Sequence, residues 1–327
     1  MTFLLKVEDL KMYYKIREGW VKAVDGISFS LDKGCSFGIV GESGCGKSSV
    51  ALAIMRLLPR NAKVIGGRIF FNGTDLMKIP LDELRSFRLK KMAMIFQSAM
   101  NALNPVFRVG DQLADAFQYH EKVSREEAKA RVQEIFELVN LDSSVMQKYP
   151  HELSGGMRQR VMIAMSLLCN PDLIIADEPT TALDVVVQDQ ILQSIKDLQE
   201  RLKLSLILIS HDISVILETC DKIAVMYGGQ IVEYGDSNSI FNDPHHPYTS
   251  GLFESFPTIH AELKDLMSIP GSPPDLINPL KGCRFAPRCI FKKNICEKDP
   301  PFVKVKNEHY SKCHFANLER FEWRGTL

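Results

Sequence analysis

At 327 residues and 45% hydrophobic, the chain has room for one large domain plus an appendage, with a sizeable buried core. Lys+Arg and Asp+Glu both count 40, so no net basic charge marks it as a nucleic-acid binder. No apolar run approaches the ~18 residues that span a bilayer, and the N-terminus MTFLLKVEDL turns charged without the apolar core of a secretory signal. A cytoplasmic location is the expectation, with any membrane supplied by a partner.

Residues 3–9 and 25–31 alternate as strands do, and CSFGIV follows as a short buried strand. That strand runs straight into GESGCGKS, Gly41 to Ser48, and then into the helical SSVALAIMRLL. Strand, G-x-x-x-x-G-K-[ST] and helix together make a phosphate cradle. Glycines let backbone N–H groups close around a phosphate at a helix N-terminus. Lys47 neutralises β/γ charge, and the Ser48 hydroxyl reaches Mg²⁺. Cys45 lies inside this loop, where a thiol near a lysine tends to acidify. It reads as a small residue that the turn tolerates, with a redox switch as the alternative.

Further on, GRIFFNGTDL reads as a strand entering an Asn-Gly turn. KMAMIF is a strand closed by Gln97, a neutral amide suited to orienting water or joining a metal's shell. From about 109 to 169 the apolar spacing becomes helical in GDQLADAFQYH, SREEAKARVQEIFELVNL and SGGMRQRVMIAMSLLC. The third of these is preceded by HEL, so Ser154, Gly155 and Gly156 form a small-residue turn opening a helix, a second seat for an anion.

The strand LIIADEP ends in two carboxylates, Asp177 placed to hold Mg²⁺ and Glu178 to polarise an attacking water. A helix over 184–203, the strand SLILIS and His211 at its C-terminal edge follow, then the strands DKIAVMY and GQIVEYG. Beyond about 244 proline accumulates and long periodic elements stop. Four of the eight cysteines crowd there: Cys283, Cys289, Cys296 and Cys313. Their spacing departs from the usual C-x₂₋₄-C zinc pairs and from common ferredoxin runs. By spacing alone they are four soft ligands for a metal of open identity.

Taken together, the chain resembles the nucleotide-binding subunit of an ATP-binding-cassette (ABC) transporter. GESGCGKS resembles its Walker A, LIIADE its Walker B, LSGGM its signature, TALD its D-loop, and Gln97 and His211 its Q- and H-loop residues. Met157 stands where the commonest signature has Gln. The resemblance implies an α/β P-loop NTPase fold, a mixed-sheet core with a helical subdomain over about 98–165, within residues 1–243. It implies MgATP hydrolysis, with Gly41, Ser43, Gly44, Cys45, Gly46, Lys47, Ser48, Ser49 and Asp177 around the nucleotide. Ser48 and Gln97 would meet Mg²⁺, Glu178 would be the base, and His211 would touch the γ-phosphate. Tyr14, with Tyr13 in reserve, would stack on adenine. Ser154, Gly155 and Gly156 would cap the γ-phosphate bound by a second cassette, identical or different.

AVDGISF, FQSAMNALNP, HHPYTSGL, IPGSPP and GCRFAPRC extend the likeness to the oligopeptide/dipeptide importer branch, whose members take up peptides, and some nickel, glutathione or oligosaccharides. The implied partners are two membrane permeases meeting the segment after Gln97 and, indirectly, an external solute-binding protein, with no nucleic acid. The chain would sit peripherally on the cytoplasmic membrane face. Residues 244–327 would form the branch's loop-rich C-terminal extension, its four cysteines holding a 4Fe-4S cluster, or zinc as the alternative. The transported solute is not legible.

Overall fold

The computed structural model describes residues 3–97, 102–181, 183–255, 269–318, 321 and 323. The elements begin with β1 (Leu5–Ile16), β2 (Gly19–Leu31), β3 (Ser36–Val40), α1 (Lys47–Ile54), β4 (Ala62–Phe71) and β5 (Thr74–Asp75). Next come α2 (Leu81–Phe87), β6 (Met92–Ile95), α3 (Val109–Glu121), α4 (Arg125–Leu138), α5 (Gly155–Leu167), β7 (Leu173–Asp177) and α6 (Val185–Leu202). The chain continues through β8 (Ser205–Ile209), α7 (Ile213–Thr219), β9 (Lys222–Tyr227), β10 (Gln230–Asp236), α8 (Ser237–Asn242) and α9 (Pro247–Glu254). It closes with β11 (Val303–Lys306) and β12 (His309–Ser311). Two compact units result, one from residues 1–31, 36–77 and 209–327, the other from 32–35 and 78–208.

In the first unit, an antiparallel sheet runs in the order β2-β1-β4-β5. The strands β1 and β2 are longer than the alternation at 3–9 and 25–31 predicts, because pairing continues through Tyr14↔Val21 to Ile16↔Gly19. Asn72 and Gly73 turn β4 into β5 with φ of 47° and 78°, the left-handed pair that an Asn-Gly turn supplies. β3 pairs in parallel with β9, and β9 antiparallel with β10. β3 is buried at all five positions, as an unbroken apolar run should be when both faces are covered.

The extension is less irregular than its proline content predicts. It contributes the hairpin β11–β12, and β12 pairs with β10 through Glu233↔Ser311 and Tyr234↔Tyr310. An aromatic cluster ties β9 to α9 and the later part of the extension: Tyr227 and Tyr248 have centroids 4.6 Å apart, and Phe285 lies 5.1 Å from Tyr227.

At the start of α9, His246 is 1% exposed and its Nδ1 accepts from the Tyr248 N–H at 3.1 Å. Burial pushes this imidazole down to about 3. In the unfolded chain it titrates near ~6.5, so between the two values only the unfolded state takes up the proton. Stability therefore falls as pH falls through that window, by up to about 1.4 kcal/mol per pH unit. His246→Asn, which keeps a capping acceptor but cannot titrate, is expected to flatten the urea midpoint against pH from about 6 to about 4.5. An unchanged slope would remove His246 from the acid response.

In the second unit, β6 and β7 pair in parallel from Met92↔Leu173 to Ile95↔Ala176, with β8 on the other side of β7. The helices α3, α4, α5 and α6 appear where the 3.6-residue spacing puts them. α4 starts at a full capping box: Ser124 Oγ accepts from Glu127 N–H at 3.2 Å, and Glu127 Oε2 accepts from Ser124 N–H at 2.8 Å. Residues 98–101 of FQSAMNALNP, with which the expected helical subdomain begins, and Ala182 of TALD lie outside the described residues.

Candidate nucleotide site

The first unit carries the phosphate loop between β3 and α1. Gly46, at φ 108°, caps α1, and a Cβ there would lie 2.0 Å from the Ala23 carbonyl oxygen. Gly41, at φ 147°, would put a Cβ 2.2 Å from the Met226 carbonyl oxygen. Both positions therefore require glycine for conformation and for space. Lys47 is 5% exposed, and its Nζ donates to the Gly41 carbonyl at 2.7 Å and the Glu42 carbonyl at 3.1 Å. The ammonium is thus held inside the arc of the loop, while Ser43 and Gly44 are exposed on its rim.

Cys45 is buried within that arc, and desolvation outweighs the nearby Lys47 charge, so its thiol is raised rather than acidified. The plain reading, a small side chain filling the turn, fits this. Tyr14, half-buried on β1, shares a hydrogen bond with Ser49 Oγ at 3.1 Å, beside the last loop residues. Tyr13, on the opposite face, donates to Asp25 Oδ1 at 2.5 Å. His211 follows β8 and is exposed.

The second unit holds the carboxylates. β7 is buried throughout, and Asp177 at its end is 4% exposed. Glu178 follows with φ 46°, a left-handed backbone costing a non-glycine residue roughly 1–2 kcal/mol. Such strain concentrates at functional sites. Glu178 Oε2 accepts from Gln97 Nε2 at 2.8 Å and from Thr181 Oγ1 at 3.0 Å. The structure thus joins two of the expected catalytic residues from separate strand ends and adds Thr181, whose nearness in sequence to the acid was its only signal.

Ser154 is exposed, and its Oγ accepts from the Met157 N–H at 3.3 Å, so it caps α5. A Cβ on Gly156 would lie 2.8 Å from Val187 Cγ1, so glycine lets α5 begin close against α6. The turn presents a hydroxyl and a helix N-terminus, the chemistry that holds an anion. The Ser48 hydroxyl in the first unit, and the buried Asp177 carboxylate and the Gln97 amide oxygen in the second, are each hard oxygen donors of the kind magnesium prefers.

The expected 4Fe-4S cluster, and zinc as its alternative, are corrected by the structure. Cys283, Cys289, Cys296 and Cys313 do line one cavity, with Phe285 and Phe291. Among the described residues, however, no three His, Cys, Asp or Glu side chains are arranged to hold a metal ion. Burial among these aromatic walls raises the Cys283 thiol and pushes Cys289 and Cys313 up to about 12, favouring neutral thiols over the thiolates that ligation needs. Spacing suggested four metal ligands and the resemblance suggested iron–sulfur, and neither sees the burial of the thiols.

Two family models match the chain: ABC transporter over residues 24–181, and oligopeptide/dipeptide transporter, C-terminal region, over residues 232–296. The oligopeptide transport ATP-binding protein OppD of Bacillus subtilis (strain 168) is 48% identical over 317 residues, 95% of this chain and 88% of that protein. The dipeptide transport ATP-binding protein DppD of the same organism is 45% identical over 95% of this chain and 94% of its own length. A dimeric post-hydrolysis state of the ATP-binding cassette MJ0796 bound to ADP and Pi superposes with TM-score 0.64 at 28% identity, covering 71% of this chain and 98% of that one.

Proposed function

Since the chain belongs to the family of ATP-binding subunits of oligopeptide/dipeptide ABC transporters, we propose that it hydrolyses MgATP to drive peptide uptake through separate membrane permeases. Two cassettes pair, and a solute-binding protein delivers cargo to the permeases. The reading is carried by one observation, the 2.8 Å hydrogen bond from Gln97 to Glu178. It links a carboxylate at the end of β7 to the residue just before the segment proposed to face the permeases.

Residues 1–243 are the proposed cassette, with a helical subdomain over about 98–165, and 244–327 the extension. The phosphate loop, Gly41 to Ser49, holds the triphosphate, with Lys47 on the β- and γ-phosphates and Tyr14 against the base. Ser48, Asp177 and Gln97 hold Mg²⁺, which neutralises charge developing on the phosphate oxygens. Glu178 accepts the proton of the attacking water, and Gln97 and Thr181 hold its carboxylate in place for that transfer. His211 contacts the γ-phosphate. Ser154, Gly155 and Gly156 of the second cassette close the site over the same phosphate, so each chain supplies one wall to each of two sites. ATP then favours the closed pair, and hydrolysis removes the contacts that hold it.

Location at the cytoplasmic face of the membrane, held by the permeases, is part of the proposal. No helix among the described residues is long and apolar enough to cross a bilayer. In reconstituted transporter, Gln97→Ala is expected to leave nucleotide affinity within about twofold and to cut permease-stimulated hydrolysis by about tenfold. Full stimulation in this variant would refute Gln97 as the coupling residue.

A further inference from the structure

The phosphate loop is gripped from outside the cassette motifs, by the C-terminal extension. Glu42, the second loop residue, is held in both carboxylate oxygens by one guanidinium: Arg288 Nη1 donates to Oε2 at 2.6 Å and Nη2 to Oε1 at 2.9 Å. Arg288 is 7% exposed. Its Nε donates to the Pro270 carbonyl at 2.7 Å, and its guanidinium lies 5.7 Å from the Tyr227 ring centroid. The Glu42 N–H, in turn, donates to Tyr248 Oη at 2.9 Å.

Four residues earlier on the same tail segment, Arg284 is 9% exposed and donates to the Gly228 carbonyl and to Asp25 Oδ2. Gly229, next to that carbonyl, donates its N–H to the Cys45 carbonyl at 3.0 Å. The segment CRFAPRC therefore touches the phosphate loop directly at Glu42 and through one intermediate at Cys45.

We propose that Arg288 is a positioning residue for ATP, holding the phosphate loop in its binding arc through Glu42, so that the extension is a working part of the nucleotide site. A bidentate arginine–carboxylate pair fixes orientation as well as proximity. A half-buried carboxylate stripped of that partner would be left in a poorly solvated place and would draw the loop out of shape. Holding the loop ready before nucleotide arrives lowers the ordering cost of binding. The effect therefore falls on affinity and spares the chemical step. This inference rests on the reading of Gly41–Ser48 as the ATP site.

The test uses the full chain with mant-ATP as the probe, together with KM and kcat for ATP hydrolysis. Arg288→Gln is expected to weaken mant-ATP binding and raise KM by about tenfold, with kcat within about twofold of the parent. Arg288→Lys should recover part of the loss, and Glu42→Gln combined with Arg288→Gln should bind no worse than either alone, because the two residues act as one unit. Parental affinity in Arg288→Gln, or additive losses in the double variant, would overturn the proposal. If Arg288→Gln does not fold, Glu42→Gln decides alone, and parental affinity there overturns it equally. Lys47→Ala is the control: parental mant-ATP affinity in that variant would strike the ATP-site reading itself and leave a different signature from failure of the Arg288 arm.

Discussion

Glu178→Gln is expected to abolish turnover while sparing ATP binding. The amide has the size of the carboxylate and still offers an oxygen to Gln97 Nε2 and Thr181 Oγ1, the two donors on Oε2. What it loses is basicity. A positioned general base contributes about 10²–10⁴ in rate, so steady-state hydrolysis should fall by about a thousandfold. The Kd for ATP should stay within about twofold, since the role proposed for this side chain is on water and not on the phosphates. Hydrolysis at the parental rate in a phosphate-release assay would remove Glu178 as the base.

The second large effect is expected at Lys47. Its ammonium is buried and turned inward onto the Gly41 and Glu42 carbonyls, which places it at the proposed seat of the phosphates. Hydrogen bonds to charged groups contribute about 1.5–3 kcal/mol each. Losing them in Lys47→Ala should weaken ATP by about a hundredfold at 1.4 kcal/mol per tenfold. AMP, which lacks the β- and γ-phosphates, should bind the variant and the parent alike. Equilibrium dialysis with both nucleotides checks this, and an equal loss for AMP would indicate a damaged loop and not a missing phosphate contact.

Much of the candidate site was legible because its parts are local. GESGCGKS is contiguous, and Gly41 and Gly46 are glycines for reasons confined to one turn and the strands beside it. The apolar runs of β3 and β7 announce full burial, and the helical spacing from 109 to 169 delivered α3, α4 and α5. Contacts between distant segments were hidden. Arg288 meets Glu42 across 246 positions, and Arg284 meets Asp25 across 259, separations at which no periodicity or spacing rule operates. The hairpin β11–β12 was obscured by the prolines around it, although VKVK alternates as a strand should. In the cysteine-rich tail, spacing counted possible ligands and could not show that burial keeps their protons on.

The cysteine correction leaves the extension held by other means. β12 extends the sheet edge at β10, Phe285 enters the Tyr227–Tyr248 cluster, and two nearly buried arginines reach the cassette loops. Each anchor is an ordinary packing or charge contact to a segment with few regular elements of its own.

The central claim, that one nucleotide is enclosed by two cassettes, is tested most directly by the light-scattering mass of Glu178→Gln. With MgATP the account predicts a particle of two cassettes, twice the 37.0 kDa of this chain if it pairs with itself, and with MgADP a single chain. A mass of one chain in saturating MgATP, with any companion cassette of the transporter also present, would contradict it.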